Sequence, residues 1–254
     1  MNGRDAIVVK VGTGVLTRQD GTLDSASLAR LVNVLADLPD QGKHVVLVSS
    51  GAVGAGISAL GLKEYPDDVS ARQAAAAVGQ TRLMHAYENL FRSFDLSVAQ
   101  LLLTAADLEN DDRRSRVSAL LGRLVDEQGI VPVINQNDSV AVEELSVGDN
   151  DMLSARVAAL VSARMLILLT TVDGLYPPDS EKIVEEVASV GEVMSYAKEE
   201  KGRFAIGGME SKLRAVRFAV EQGVETVIAN GRRPERLAQI LEGGGLGTRF
   251  PVGE

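Results

Sequence analysis

Cysteine is absent from this chain of 254 residues, and so is tryptophan. Without thiols there is no disulfide, no thiolate nucleophile and no zinc–thiolate centre. Histidine occurs only at His44 and His85. One opens a strand pattern and the other lies in an alanine-rich helical stretch, so both read as structural rather than catalytic. No apolar run approaches about 18 residues, so no membrane-spanning helix is expected. Positive charge is scarce, with 26 Lys and Arg against 35 Asp and Glu and a formal net charge of −9. Nucleic acid and anionic membrane both need a basic face, so neither is expected as the main partner. The opening Met-Asn-Gly-Arg-Asp runs straight into a strand pattern, so no signal peptide is expected and the cytoplasm is the default location. Internal repeats, long linkers and low-complexity segments are also missing.

What is there is the composition of a globular protein, 45% hydrophobic and 24% charged. The length suits one large α/β domain or two lobes. Near-continuous apolar runs at residues 6–11, 44–48, 98–103, 130–134, 165–169 and 224–229 read as strands buried on both faces, with a shorter strand at 183–187 and a final short segment at 247–250. Helical spacing marks residues 28–35, 70–94, 114–128, 153–161, 210–222 and 234–242, with a short helix at 193–198. Strands alternating with helices predict a mostly parallel sheet covered by helices on both faces.

Polar or glycine-rich loops follow the strands at 12–14, 49–56, 135–138, 170–174 and 230–231. Parallel sheets bind ligands beyond the carboxyl ends of their strands, so this coincidence points to a small-molecule cleft. The chain is organised around residues 146–155, Ser-Val-Gly-Asp-Asn-Asp-Met-Leu-Ser-Ala, where Asp149, Asn150 and Asp151 open a helix. On their own these three read as a cap; facing a cleft, they would handle ligand and cations. Neither the P-loop signature nor the Rossmann glycine fingerprint is present.

Two lysines stand out. Lys10 ends the first strand beside Gly12-Thr13-Gly14, and Lys212 follows Gly207-Gly208-Met209-Glu210-Ser211 at a helix start. Each alone could be an ordinary surface lysine. Together, near glycine loops, they are what phosphoryl transfer needs, because that chemistry is mostly positioning and electrostatic stabilisation. General bases are scarce, and a carboxylate acceptor would need none, being ionised at neutral pH. Amides such as Asn135, Asn137 and Asn150 can bond to carboxylate or ammonium groups. Mg²⁺ would accompany ATP on its phosphates, and the sequence names no dedicated metal ligand.

Five motifs, taken in order, resemble the glutamate 5-kinase branch of the amino acid kinase family over almost the whole chain. They are Val9-Lys10-Val11-Gly12-Thr13, Val48-Ser49-Ser50-Gly51-Ala52-Val53, Pro132-Val133-Ile134-Asn135-Gln136-Asn137-Asp138, Val147-Gly148-Asp149-Asn150-Asp151 and Gly207-Gly208-Met209-Glu210-Ser211-Lys212. The resemblance implies ATP- and Mg²⁺-dependent phosphorylation of the γ-carboxylate of L-glutamate, the first step of proline biosynthesis. It implies a single domain over 1–254, a three-layer αβα sandwich around an open, mainly parallel sheet of about eight strands, with an acceptor-binding lobe at about 1–164 and a nucleotide-binding lobe at about 165–254. By motif match, Lys10 and Lys212 would stabilise the transferring phosphoryl group and Asp151 would orient them. Ser50, Asp138 and Asn150 would bind glutamate, with the backbone of Gly51 and Ala52 and with Asp149. Lys10, Gly12, Thr170, Thr171 and the loop Ile206, Gly207, Gly208, Met209, Glu210, Ser211 and Lys212 would line the ATP site. Feedback inhibition by L-proline and a homodimer or homotetramer are further implications.

The chain departs from the family pattern at Thr171, where Asp is common, and at Ala205-Ile206, where Gly-Thr is common. Many members carry a C-terminal PUA domain, and a form without it is expected. The charged run Asp111-Asp112-Arg113-Arg114-Ser115-Arg116 replaces a Leu-Asn-Ala-Arg-like run and reads as a solvated helix start. Two alternatives remain open: a sister enzyme with another acceptor, and a non-catalytic sensor or storage protein on the same fold. A phosphate acceptor would call for arginines, and residues 49–56 and 135–151 hold none.

Overall fold

The computed structural model describes residues 5–62, 64–140, 150–196 and 208–253. The strands are β1 (Ala6–Val11), β2 (His44–Ser49), β3 (Ser97–Leu103), β4 (Ile130–Gln136), β5 (Met165–Thr170), β6 (Glu225–Asn230) and β7 (Thr248–Phe250). The helices are α1 (Thr13–Leu16), α2 (Ser25–Ala36), α3 (Ala52–Leu60), α4 (Val69–Arg92), α5 (Ala105–Glu109), α6 (Asp111–Asp126), α7 (Asn150–Leu160), α8 (Val190–Val193), α9 (Met209–Glu221) and α10 (Leu237–Leu241). Among the described residues, no helix is long and apolar enough to cross a membrane.

The strands lie in the order β3-β4-β2-β1-β5-β6-β7. All pairings are parallel except the last, where β7 runs antiparallel to β6. The period of two along β1 sorts its side chains. Ile7, Val9 and Val11 join one core with α2, α4 and α10 through Leu28, Leu31, Leu83, Tyr87, Phe91 and Leu237. Ala6 and Val8 join the other with α6, α7 and α9 through Leu121, Val157, Leu213 and Val216. The parity puts Lys10 on the α7 and α9 side. The result is the three-layer sandwich that the sequence predicts.

Helix starts follow side-chain capping. Asp24 accepts from the Ala26 N–H at the start of α2, and Asp68 from the Ala71 N–H at the start of α4. Asn110 accepts from the Arg113 N–H, and Arg114 pairs with Asp111 at 2.6 Å. Residues 111–116 are thus the exposed, capped first turns of α6, as expected. His44 opens β2, and His85 lies exposed on α4 with its Nε2 2.9 Å from the Asn89 side-chain nitrogen.

Four expectations need correction. Residues 183–187 are not a strand but make only an isolated bridge, Glu186 to Arg249; the sheet has seven strands among the described residues, in keeping with the expected number of about eight. Residues 234–242 divide into a 3₁₀ turn (Pro234–Arg236) and α10. The short helix near 193–198 is α8, shifted towards the N-terminus, and residues 197–198 lie outside the described residues. Most of the expected glycine loop at 49–56 is helix: α3 begins at Ala52, and its glycines serve packing rather than a turn. A Cβ at Gly56 would stand 1.9 Å from the Ala75 carbonyl oxygen, and one at Gly79 1.8 Å from that of Ala52. Helices α3 and α4 therefore touch backbone to backbone.

Candidate active site

The carboxyl ends of β1, β2, β4 and β5 open on one edge of the sheet, and two polar clusters are built there. The first joins three elements distant in sequence. Lys10 leaves β1 towards α7, Asp151 stands in the first turn of α7, and Lys212 stands in the first turns of α9. The Lys10 Nζ lies 2.5 Å from Asp151 Oδ1, and the Lys212 Nζ lies 3.0 Å from Oδ2. Exposures of 6%, 1% and 8% for Lys10, Asp151 and Lys212 mean the three charges interact with little screening by water. Burial alone would push the Asp151 carboxyl up, but the two ammonium groups and their hydrogen bonds outweigh it and hold the carboxyl below its ordinary value. Counting these three groups alone, the cluster carries one excess positive charge, directed at the strand ends.

The second cluster is made of amides and hydroxyls. The Asn150 Nδ2 donates to Ser50 Oγ at 2.8 Å and to Asn135 Oδ1 at 3.0 Å. The Asn135 Nδ2 donates to Gln80 Oε1 at 2.9 Å, and the Gln136 backbone N–H donates to Asn135 Oδ1 at 2.8 Å. The Asn150 Oδ1 is buried without a partner among the described residues. Because Asn150 and Asp151 are consecutive, the amide and charged clusters share one wall. Gly51, at φ 101°, bends the chain from β2 into α3 in a conformation that side chains disfavour. Behind it, the Ser49 Oγ and Tyr87 hydroxyl lie 2.8 Å apart, and burial pushes the Tyr87 hydroxyl up.

Asp138 follows β4, and burial pushes its carboxyl up to about 6. On the β5 side, the Gly12 N–H donates to the Leu169 carbonyl at 3.1 Å. A Cβ at Gly14 would come within 3.0 Å of the Thr171 methyl, so the loops after β1 and β5 abut. The Thr170 carbonyl accepts from the Gly231 N–H, and Thr171 is exposed. Ser211 Oγ is buried without a partner among the described residues, whereas Glu210 is held in a surface pair with Arg214 at 2.6 Å. Asp149, Ile206 and Gly207 lie outside the described residues. Beyond β5, a depression of about 440 Å³ is lined by Tyr176, Pro177, Pro178 and Tyr196 among others.

The structure thus brings Lys10, Asp151 and Lys212 together, and joins Ser50 to Asn150. Sequence reasoning missed Gln80. Its one cue is a polar residue on the buried face of an otherwise alanine-rich helix, which gives no hint of a partner 55 positions away.

A two-lysine, one-carboxylate cluster at strand ends can neutralise a multiply charged anion, and the adjoining amides can hold a polar acceptor. Comparisons with known proteins place the whole chain. Residues 5–230 match the model of the amino acid kinase family. The chain is 46% identical over 249 residues to the glutamate 5-kinase of Symbiobacterium thermophilum, covering 96% of this chain and 95% of that one. It is 44% identical to that of Clostridium acetobutylicum, covering 96% and 93%. It is 49% identical to that of Thermus thermophilus, a longer chain of which it spans 66%. Among solved structures, carbamate kinase from Giardia lamblia bound to AMP-PNP has a TM-score of 0.66 at 16% identity, over 98% of this chain and 99% of that one. The N-acetylglutamate synthase of Neisseria gonorrhoeae has a TM-score of 0.69 at 21% identity, over 98% and 60%.

Proposed function

The chain belongs to the amino acid kinase family, and we propose that it phosphorylates the γ-carboxylate of L-glutamate with ATP, the first step of proline biosynthesis. The observation that carries this reading is the buried cluster of Lys10, Asp151 and Lys212. A γ-carboxylate oxygen attacks the γ-phosphorus, the bond from that phosphorus to the β–γ bridging oxygen breaks, and γ-glutamyl phosphate and ADP leave. No proton need move, because the attacking carboxylate is already ionised. Lys10 and Lys212 stabilise the charge that spreads over the phosphoryl oxygens, and Asp151 fixes their separation.

Substrate handling divides along the chain. Ser50, Asp138, Asn150 and the backbone of Gly51 and Ala52, all within 1–164, take glutamate. Gly12, Thr170, Thr171, Met209 and the Ser211 hydroxyl take the nucleotide, mostly from 165–254, with the Tyr176 and Tyr196 depression receiving the base. Glu210 is left out, its carboxylate being engaged by Arg214. Among the described residues, no group of three His, Asp or Glu side chains could hold a metal ion. Mg²⁺ would be carried on the phosphate oxygens and water beside the two lysines, and would help to neutralise the phosphates when bound. The same reading carries a cytoplasmic site of action, L-proline as feedback inhibitor, and a homodimer or homotetramer.

The test is ADP release from Mg·ATP with L-glutamate, L-aspartate, N-acetyl-L-glutamate, carbamate or UMP, with hydroxylamine present to trap acyl phosphate. Glutamate-dependent release with matching hydroxamate is expected. Turnover with another acceptor instead would overturn the acceptor assignment, and none at all in folded, ATP-binding protein would favour a sensor.

Asp138 supplies a pH signature. Its carboxylate must be ionised to hold the substrate ammonium, and its carboxyl is pushed up to about 6. Below that pH, the KM for glutamate should rise by up to about tenfold per pH unit, and the KM for ATP much less. Asp138→Asn should raise the glutamate KM and flatten the profile; an unchanged profile in D138N would assign the titration elsewhere. Asp138→Ala should raise the KM for glutamate more than that for ATP, and the reverse pattern would mean the two sides are swapped.

A further inference from the structure

We propose that Gln80, on α4, is a positioning residue that favours an ammonium group on the acceptor by satisfying the buried end of the amide chain that turns the Asn150 carbonyl towards it. The inference rests on the acceptor side of the reading above.

An asparagine side chain has a donor end and an acceptor end of nearly the same shape, so its orientation must come from its neighbours. Here the orientation propagates from a group that cannot be reversed. The Gln136 backbone N–H can only donate, and it donates to Asn135 Oδ1 at 2.8 Å. The Asn135 Nδ2 must then face Gln80, whose Oε1 accepts at 2.9 Å. Asn135 Oδ1 also accepts from the Asn150 Nδ2 at 3.0 Å. A reversed Asn150 would set two carbonyl oxygens against each other with no hydrogen between them. Asn150 Oδ1 is therefore turned to the remaining side, where it is buried with no partner among the described residues. A buried carbonyl oxygen beside Ser50 is an acceptor awaiting a donor, and the α-ammonium of an amino acid supplies one.

Gln80 is the outer anchor of this chain. It is 9% exposed, and it follows Gly79 at the backbone contact between α4 and α3. If its acceptor is lost, the Asn135 amide keeps only the Gln136 and Asn150 donors at one end, and its own Nδ2 is left buried without that acceptor. Asn135 is then held only through Oδ1, and the buried unpaired Nδ2 weakens its hold on Asn150.

The experiment uses the full chain with two variants. Gln80→Met keeps the length of the side chain and removes the acceptor. Gln80→Glu keeps an oxygen facing Asn135, whether ionised or protonated, and loses only the Nε2 donor, which has no partner among the described residues. In Q80M the KM for glutamate should rise roughly 10- to 100-fold, with kcat and the KM for ATP within about threefold of the parent. The inhibition constant of glutarate, which has both carboxylates and no ammonium, should not rise. Q80E should restore the glutamate KM to within about threefold of the parent. A Q80M enzyme with the parent glutamate KM would overturn the proposal. So would a Q80E as impaired as Q80M, or equal losses for glutamate, glutarate and ATP, which would mean general packing. If Q80M does not fold, Gln80→Leu, which also removes the acceptor, takes its place with the same expected and overturning outcomes. Failure of the acceptor reading itself would show separately, as absence of glutamate-dependent turnover in the parent.

Discussion

Replacing Lys212 with alanine is expected to lower kcat by roughly two to four orders of magnitude and leave the fold intact. The two halves of this expectation have different origins. The catalytic half follows from burial: at 8% exposure and 3.0 Å from Asp151, the ammonium acts where water screens little, so its loss in the transition state is not made good by solvent. The stability half follows from the shared carboxylate. When Lys212 is gone, Asp151 still pairs with Lys10 at 2.5 Å, so no buried carboxylate is left without a cation. Lys10→Ala should behave likewise, with Lys212 as the remaining partner. Asp151→Ala differs in kind, because it removes the one carboxylate shared by both buried ammonium groups, and it should cost about 3–5 kcal/mol of stability. Lost activity in that variant would say little about mechanism. Steady-state turnover measured beside thermal unfolding separates these cases. Near-parent kcat in either lysine variant would remove that lysine from the chemistry.

The second large effect belongs to Gly79. An alanine Cβ there would stand 1.8 Å from the Ala52 carbonyl oxygen and 2.4 Å from the Gly56 nitrogen, both backbone atoms. No rotamer change relieves such contacts, so α3 and α4 must separate. Helix propensity favours alanine over glycine by roughly 0.5–1 kcal/mol, and overpacking costs about 1–3 kcal/mol, sometimes more. The overpacking term wins at these distances. Gly79→Ala should therefore lower Tm by several degrees, given roughly 2–4 °C per kcal/mol for a chain of this size. It should also raise the KM for glutamate, because α3 begins at Ala52, next to Ser50 and Gly51. Gly191→Ala is the control: its nearest neighbour to an added Cβ is the Ser189 hydroxyl at 3.7 Å. If G79A melted with the parent and G191A below it, the close helix contact would not be a stabilising constraint.

Much of the architecture was legible from pattern alone. Runs such as Ala-Ile-Val-Val-Lys-Val are apolar on both faces, which only a strand covered on both sides accommodates, and the helices that bury one stripe announce their period. The two clustered lysines were legible because each is a charge where the pattern calls for burial or a turn. The glycines at 54 and 56 were misleading, since a glycine looks the same whether it frees a loop or admits a neighbouring helix. Residues 183–187 alternate like a strand, but only Glu186 bridges to Arg249, and pairing is a property of two segments rather than one. The Gln80–Asn135 bond was illegible for the same reason. Nothing local marks a contact across 55 positions.

The central place of β1 also sets an order of events during synthesis. It emerges first and can pair with β2 early, but its other edge stays open until residues 165–170 have been made. At roughly 5–20 residues per second that interval is on the order of ten seconds. Throughout it, Ile7 to Val11 present a row of unpaired backbone groups on an apolar strand, which is a template for unwanted pairing. Lys212 arrives later still, so a chain interrupted before it holds Lys10 and Asp151 and lacks the last cation. Arrested chains of that length are expected to be silent towards ATP, and those stopped before β5 to bind a chaperone holdase that the finished chain ignores.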